Sequence, residues 1–185
     1  MILPIYTYGH RVLKKRTELV LKENLDSVQG LIADMWDTMY QAAGIGLAAP
    51  QVGKSLRLFI VDTTQLQDEE IKKNGIKKVF VNPKMIEEWG DSWLYEEGCL
   101  SIPKLTGDVE RKPQIRICYR DENFIEQTEE FDGINARVIQ HEYDHVEGIL
   151  FVEKLKPVKR RLLSRKLEAM RKGKVKADYK IKLPS

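Results

Sequence analysis

The sequence predicts an α+β fold in which antiparallel β-sheets pack around a central helix carrying the pattern HExxH, with an N-terminal helix and a C-terminal helix beside it. Three observations lead there. Helical periodicity is confined to 25–43, 132–148 and 157–173, short apolar or alternating runs fill the interval between the first two, and strands and helices do not alternate as a parallel sheet requires. At 185 residues and 42% hydrophobic content, the chain can bury one core without disulfide support. Residues 1–185 therefore read as a single domain, with a basic C-terminal helix and tail from about 154.

Each element has a local reason. Over 25–43, Leu25, Val28, Ile32, Met35, Trp36 and Met39 form one helical stripe, with Asp26 as the expected N-cap and Gly44 as the stop. The glycines and Pro50 of GIGLAAPQVG (44–53) then break regular structure, and the apolar run LRLFIVD (56–62) reads as a buried strand. Further strands are expected at KKVFVNP (77–83), at MIEEW and SWLYEE paired across Gly90-Asp91, and at QIRICYR and NFIEQTEEF paired across Asp121-Glu122. The next helix should start at Asp132 and end at Gly148, with Ile134, Val138, His141 and His145 along one face. The last, 157–173, begins at Pro157, turns Leu162, Leu163, Leu167 and Met170 inward, and stops at Gly173.

Composition narrows the function classes. No apolar run approaches bilayer length, so no membrane partner is expected. The N-terminus MILPIYTYGH lacks the features of a signal peptide, and two cysteines in unlike contexts make no disulfide framework, which points to a reducing cytoplasm. The net charge of +3 is unevenly spread: residues 154–182 hold 13 Lys or Arg against Glu168 and Asp178, a local +11 that leaves −8 elsewhere. Such a segment can attract RNA or another polyanion without sequence-specific reading, and it equally describes a solvated basic helix.

The chemistry concentrates in QHEYDHVEG (140–148). His141 and His145 lie one turn apart and can reach one cation, while Glu142 sits one position round, within reach of a water beside it. A catalytic site of this kind takes about three protein ligands. In the HExxHxxGxxH proteases the third is a histidine, but Phe151 occupies that place here. A downstream carboxylate, Glu153 or Glu168, is the alternative of a general metallopeptidase. His10 follows a turn glycine and reads as structural, and Cys118 alternates out of phase with Ile115 and Ile117 as an ordinary strand residue. Cys99, in EEGCLSIP (96–103), lies between a glycine that permits close backbone approach and a proline that ends the segment; by itself it also reads as a buried, inert cysteine.

GIGLAAPQVG, EGCLS and QHEYDH, in this order, resemble the three signature motifs of the peptide deformylases, hydrolases that remove the N-formyl group from the formyl-methionine of new polypeptides and release formate. The resemblance implies that Cys99, His141 and His145 bind one divalent metal ion, Fe2+ by expectation, with Zn2+, Ni2+ or Co2+ as substitutes. Softness and tetrahedral geometry would suit zinc equally well. It implies Glu142 as general base, and Gln51 with the backbone N–H of Leu100 as donors to the developing oxyanion. Taken alone, Gln51 reads as a loop residue. The resemblance places Ile45, Tyr95, Glu97, Ile134, Arg137 and Val138 around the methionine pocket, and helical spacing supports the last three. Gly46 and Gly98 permit close approach of an extended substrate, which can pair with the backbone at Ile45 and Gly46. Arg137 is a cation where an apolar residue is expected, with its stem along the pocket and its head at the mouth. The implied partners are N-formylmethionyl peptides, with the ribosome as a candidate partner of the basic segment.

Overall fold

LFIVD is buried at all five positions, and its period-two alternation explains the layering. Leu58 and Ile60 face one apolar cluster, while Phe59 and Val61 face another on the opposite side. The computed structural model describes residues 1–184. In chain order the elements are β1 (Ile5–Tyr6), α1 (Leu25–Gln41), β2 (Gly46–Ala48), β3 (Leu58–Asp62), α2 (Glu69–Lys73), β4 (Lys77–Trp89), β5 (Trp93–Cys99), β6 (Ile102–Arg111), β7 (Gln114–Arg120), β8 (Glu126–Asp132), α3 (Gly133–Val146), α4 (Pro157–Arg171) and β9 (Ile181–Lys182).

The main sheet is antiparallel in the order β2-β3-β4-β7-β8, β5 and β6 form a separate antiparallel pair, and β1 pairs parallel with β9. α1 covers one face of the main sheet through Val28, Ile32, Met35 and Met39. The other face receives α3 through Ala136, Val138, Ile139 and Val146. Side chains of α3 also bond to β5 and β6, as Arg137 does with Trp93 O and Val109 O. The histidine-bearing helix is therefore central, between the sheet and the β5–β6 pair, and α4 closes the far side of that pair with Leu163, Leu167 and Met170.

Several expectations change in detail. MIEEW and SWLYEE do not pair with each other: β4 continues along β7 to Trp89, whereas β5 leaves the sheet to pair with β6. Gly90 (φ 88) thus marks a crossover between sheets rather than a hairpin turn. Pro103 does not end the segment. It falls with Lys104 (φ 63) in the shift between the Gly98↔Thr106 and Cys99↔Ile102 pairs, where a bulge dispenses with a ladder donor. GIGLAAPQVG contains the short strand β2 as well as a 3-10 turn. Asn24 rather than Asp26 occupies the N-cap of α1, leaving Asp26 in the first turn, where a negative charge suits the helix dipole. Asp132 does cap α3 by position, though its side chain makes no capping bond. β8 starts only at Glu126, because Asp121 accepts the N–H groups of Asn123 and Ile125 and prolongs the turn.

Leu162 is also corrected, being 72% exposed while Leu163 is 9% exposed. Leu163, Leu167 and Met170 follow the i, i+4, i+7 stripe, and Leu162 stands outside it. Leu163→Ala should therefore cost about 2–4 kcal/mol in urea denaturation, and Leu162→Ala less than about 0.5 kcal/mol. Equal losses for the two variants would refute this helix phase.

Candidate metal centre

Two helical residues one turn apart and the last residue of a strand form the centre. The His141 and His145 rings lie 5.1 Å apart, centre to centre. Cys99 ends β5 opposite them, with its Sγ 3.3 Å from His145 Nε2. One donor atom from each of the three residues lies within 4.8 Å of the others. The four remaining possibilities do not join them. Glu153 accepts from the Leu150 N–H and pairs with Lys14, Glu168 pairs with Arg171, His10 contacts Lys182 O, and Cys118 sits in the β7 ladder.

Orientation of His141 comes from Glu97, two residues before Cys99. Its Oε2 lies 2.9 Å from His141 Nδ1, which turns the other ring nitrogen toward the sulfur. Arg111 donates to both Glu97 oxygens, at 2.7 and 3.0 Å, and to Asp144 at 2.7 Å; Arg137 donates to Glu97 Oε1 at 3.0 Å. Burial alone would raise the Glu97 pKa, but the bonds from Arg111 and His141 outweigh it and hold the carboxyl well below its usual range. Arg137 is 2% exposed, so its head is not at the cleft mouth. Glu97 and the carbonyls of Val109 and Trp93 draw it inward, and its guanidinium lies over the Trp93 ring at 4.5 Å.

Glu142 is 4% exposed and its Oε2 has no hydrogen-bond partner among the described residues. Burial first, then the charges of Glu97 and Asp144, push its carboxyl up to about 7 against the pull of His141 and Arg111. A group poised there can both take and return a proton near neutrality. Gly46 is needed for this placement, since a Cβ at 46 would collide with the Glu142 carboxyl. Gln51 accepts the Ala48 N–H at 2.8 Å through its carbonyl oxygen, so its NH2 group faces Cys99 Sγ at 3.4 Å and Ser101 Oγ at 3.3 Å. The Leu100 side chain packs over Gly44 and into the α1 cluster.

Gly46, Gln51, Glu97, Cys99, Leu100, Arg137, His141 and Glu142 line one cleft of about 400 Å³, which also takes in Ile45, Tyr95, Gly98, Ile134 and Val138; His145 lies beneath it, 1% exposed. A divalent cation fits the donor set. A thiolate and two imidazoles are ligands of the right softness, and His145 is held neutral, its pKa lowered by burial and by His141. His141 lies well above its ordinary value: burial opposes the charge, but the Cys99 sulfur and the Glu97 carboxylate outweigh it, so a cation would displace a proton there. Arg111, Asp144, Ser101 and Trp93 escaped the sequence reading because their roles depend on partners remote in the chain.

The fold and this cluster are those of a metal-dependent hydrolase, with a candidate Cys-His-His site beside a buried carboxylate. A family model described as Polypeptide deformylase matches residues 2–161. The chain is 52% identical over 184 residues to the peptide deformylase of Cytophaga hutchinsonii, covering 100% of this chain and 98% of that one. It is 48% identical over 192 residues to that of Christiangramia forsetii, covering 100% and 97%. Among solved structures, the peptide deformylase of Thermus thermophilus superposes with a TM-score of 0.82 at 36% identity, covering 94% of this chain and 99% of that one. That of Legionella pneumophila gives 0.80 at 37%, covering 93% and 96%. The chain belongs to the polypeptide deformylase family, metal-dependent hydrolases that remove the N-formyl group from new polypeptides.

Glu97→Gln leaves two buried arginines short of a counter-charge and should destabilise the protein by about 3–5 kcal/mol, while weakening Zn2+ affinity about 10- to 100-fold. Because the folded pKa of Glu97 is depressed, its contribution is complete above the ordinary value of 4.5 and is lost as the pH falls toward the depressed one. Urea denaturation from pH 7 to pH 3 should show a shallower acid loss in the variant. Parallel acid profiles would remove Glu97 from this role.

Proposed function

We propose that this cleft deformylates N-formylmethionyl peptides, with Cys99, His141 and His145 holding one divalent cation that is Fe2+ in the native protein and replaceable by Zn2+, Ni2+ or Co2+. The buried, unpartnered Glu142 oxygen beside the Cys-His-His cluster is the observation that supports this most. When bound, the cation supplies Lewis-acid polarisation and lowers the pKa of water. Glu142 accepts a proton as water adds to the formyl carbon, then passes it to the amide nitrogen as the C–N bond breaks. Formate and a free amino terminus result. Negative charge on the formyl oxygen is met by the Gln51 NH2 and the Leu100 N–H, neutral donors that do not compete for the proton.

Among the described residues β2 pairs only with β3 and β5 only with β6, so each has an unpaired edge, and both strands line the cleft. An extended peptide can lie between them, bonding to the backbone at Ile45, Gly46 and Gly98. Its methionine side chain then meets Ile45, Ile134, Val138 and the Tyr95 ring. In this reading Arg137 and Glu97 serve the pocket from behind, as its charged support.

No helix among the described residues is long and apolar enough to cross a membrane. We place the protein in the cytoplasm, where new polypeptides form and a free thiol stays reduced. The basic α4, on which Lys159, Arg160, Arg161, Arg165 and Lys166 are exposed, suits contact with ribosomal RNA. Residues 1–185 act as one domain in this proposal.

The test is formate release from formyl-Met peptides by anaerobically purified protein, with metal measured on the same sample; a metal-loaded but inactive protein contradicts the proposal. Glu142→Ala should keep its metal and lose about 10²- to 10⁴-fold in kcat. Cys99→Ser should lower metal content or change the metal retained, and unchanged content and activity would exclude Cys99 as a ligand.

A further inference from the structure

Beyond α4 the chain returns to the cleft. Val175, Ala177, Tyr179 and Ile181 are half-buried while Lys174, Lys176, Asp178, Lys180 and Lys182 are exposed, the alternation of an extended strap with one face on the protein. The strap ends in β9 beside β1, where the Ile5 N–H donates to Lys180 O at 2.9 Å and the Thr7 N–H to Lys182 O at 3.1 Å. It lies beyond residues 2–161, the span that the family model matches.

Both strands of this small parallel pair lead to the turn that follows Cys99. The Tyr179 hydroxyl donates to Leu100 O at 2.8 Å, and the Tyr8 N–H donates to Ser101 O at 2.8 Å. Leu100 and Ser101 lie between the paired residues Cys99 and Ile102, and the shift beyond that pair interrupts the ladder around Pro103 and Lys104. A turn of this kind gains little rigidity from its own strands, so anchorage must come from elsewhere. Tyr179 also lines the cleft, which puts its anchor at the site itself.

We propose that Tyr179 is a positioning residue for deformylation, tethering the Leu100 carbonyl so that the neighbouring Leu100 N–H stays aimed at the formyl oxygen as charge develops. This rests on the reading of that N–H as an oxyanion donor. A donor aimed in advance costs no reorganisation at the moment of reaction, whereas a turn free to rock loses part of its effect in the transition state more than in substrate binding. A phenol is protonated at neutral pH and so remains a donor.

Tyr179→Phe in the full chain removes one oxygen and keeps the ring. With metal content unchanged, kcat should fall about tenfold while KM stays within about twofold, since only transition-state stabilisation is lost. Hydrogen exchange of the peptide covering residues 99–105 should accelerate. A kcat within about twofold of wild type, whatever KM does, overturns the proposal, as a packing residue of the cleft wall would act on KM. Failure of the wild-type protein to release formate would instead sink the deformylase reading, and exchange alone would then decide the tether: an unchanged rate at 99–105 overturns it.

Discussion

One buried carboxylate joins the two halves of the centre. Glu97 belongs to the strand that ends in Cys99, and it binds His141 and Arg137 of the histidine helix together with Arg111 of the neighbouring strand. The bond from Arg137 to Trp93 O also ties β5 to that helix, but at the far end of the strand, whereas Glu97 stands two residues from the sulfur. Burying so many charges is weak evidence for net stability, because desolvation offsets much of the attraction. Its effect is geometric: each partner has one place to be, and His141 has one ring orientation.

The rest of the cleft follows from this junction. With β5 tied to α3, its residues Tyr95 to Cys99 and Gly46 of β2 line the same cleft, where the proposed extended substrate would lie. Glu142, which follows His141 on α3, reaches across to Gly46 of β2, where the missing side chain leaves room for its carboxyl. The same glycine proposed to pair with a substrate backbone thus also makes room for the Glu142 carboxyl, the proposed general base. The C-terminal strap adds a further anchor at the turn after Cys99, so chain segments from both ends of the molecule converge on one short piece of backbone.

Much of this was legible in the residues because it is local. The i, i+4 spacing of His141 and His145, the α1 stripe and the buried run at 58–62 depend only on helical or strand period, and the structure has all three. Strand partners were less legible, since MIEEW and SWLYEE alternate as well in separate sheets as in one hairpin. The third donor was legible only through the resemblance of three separated motifs, as nothing local to Cys99 says what lies opposite. Arg137 shows the limit most clearly. The resemblance put it at the pocket with helical phase in support, but the inward turn of its head depends on Glu97, 40 positions away, and on two backbone carbonyls. Tyr179 could have been found from the alternation in GKVKADYKIK, which the high lysine content disguised as a solvated tail.

The central claim is that Cys99 sulfur and the two helix imidazoles share a single cation. X-ray absorption of anaerobically prepared, metal-loaded protein addresses it directly. With zinc bound, one sulfur scatterer at about 2.3 Å and imidazole nitrogens at about 2.0–2.1 Å are expected, with the sulfur shell absent in Cys99→Ser. A wild-type spectrum fitted by nitrogen and oxygen alone would contradict the account.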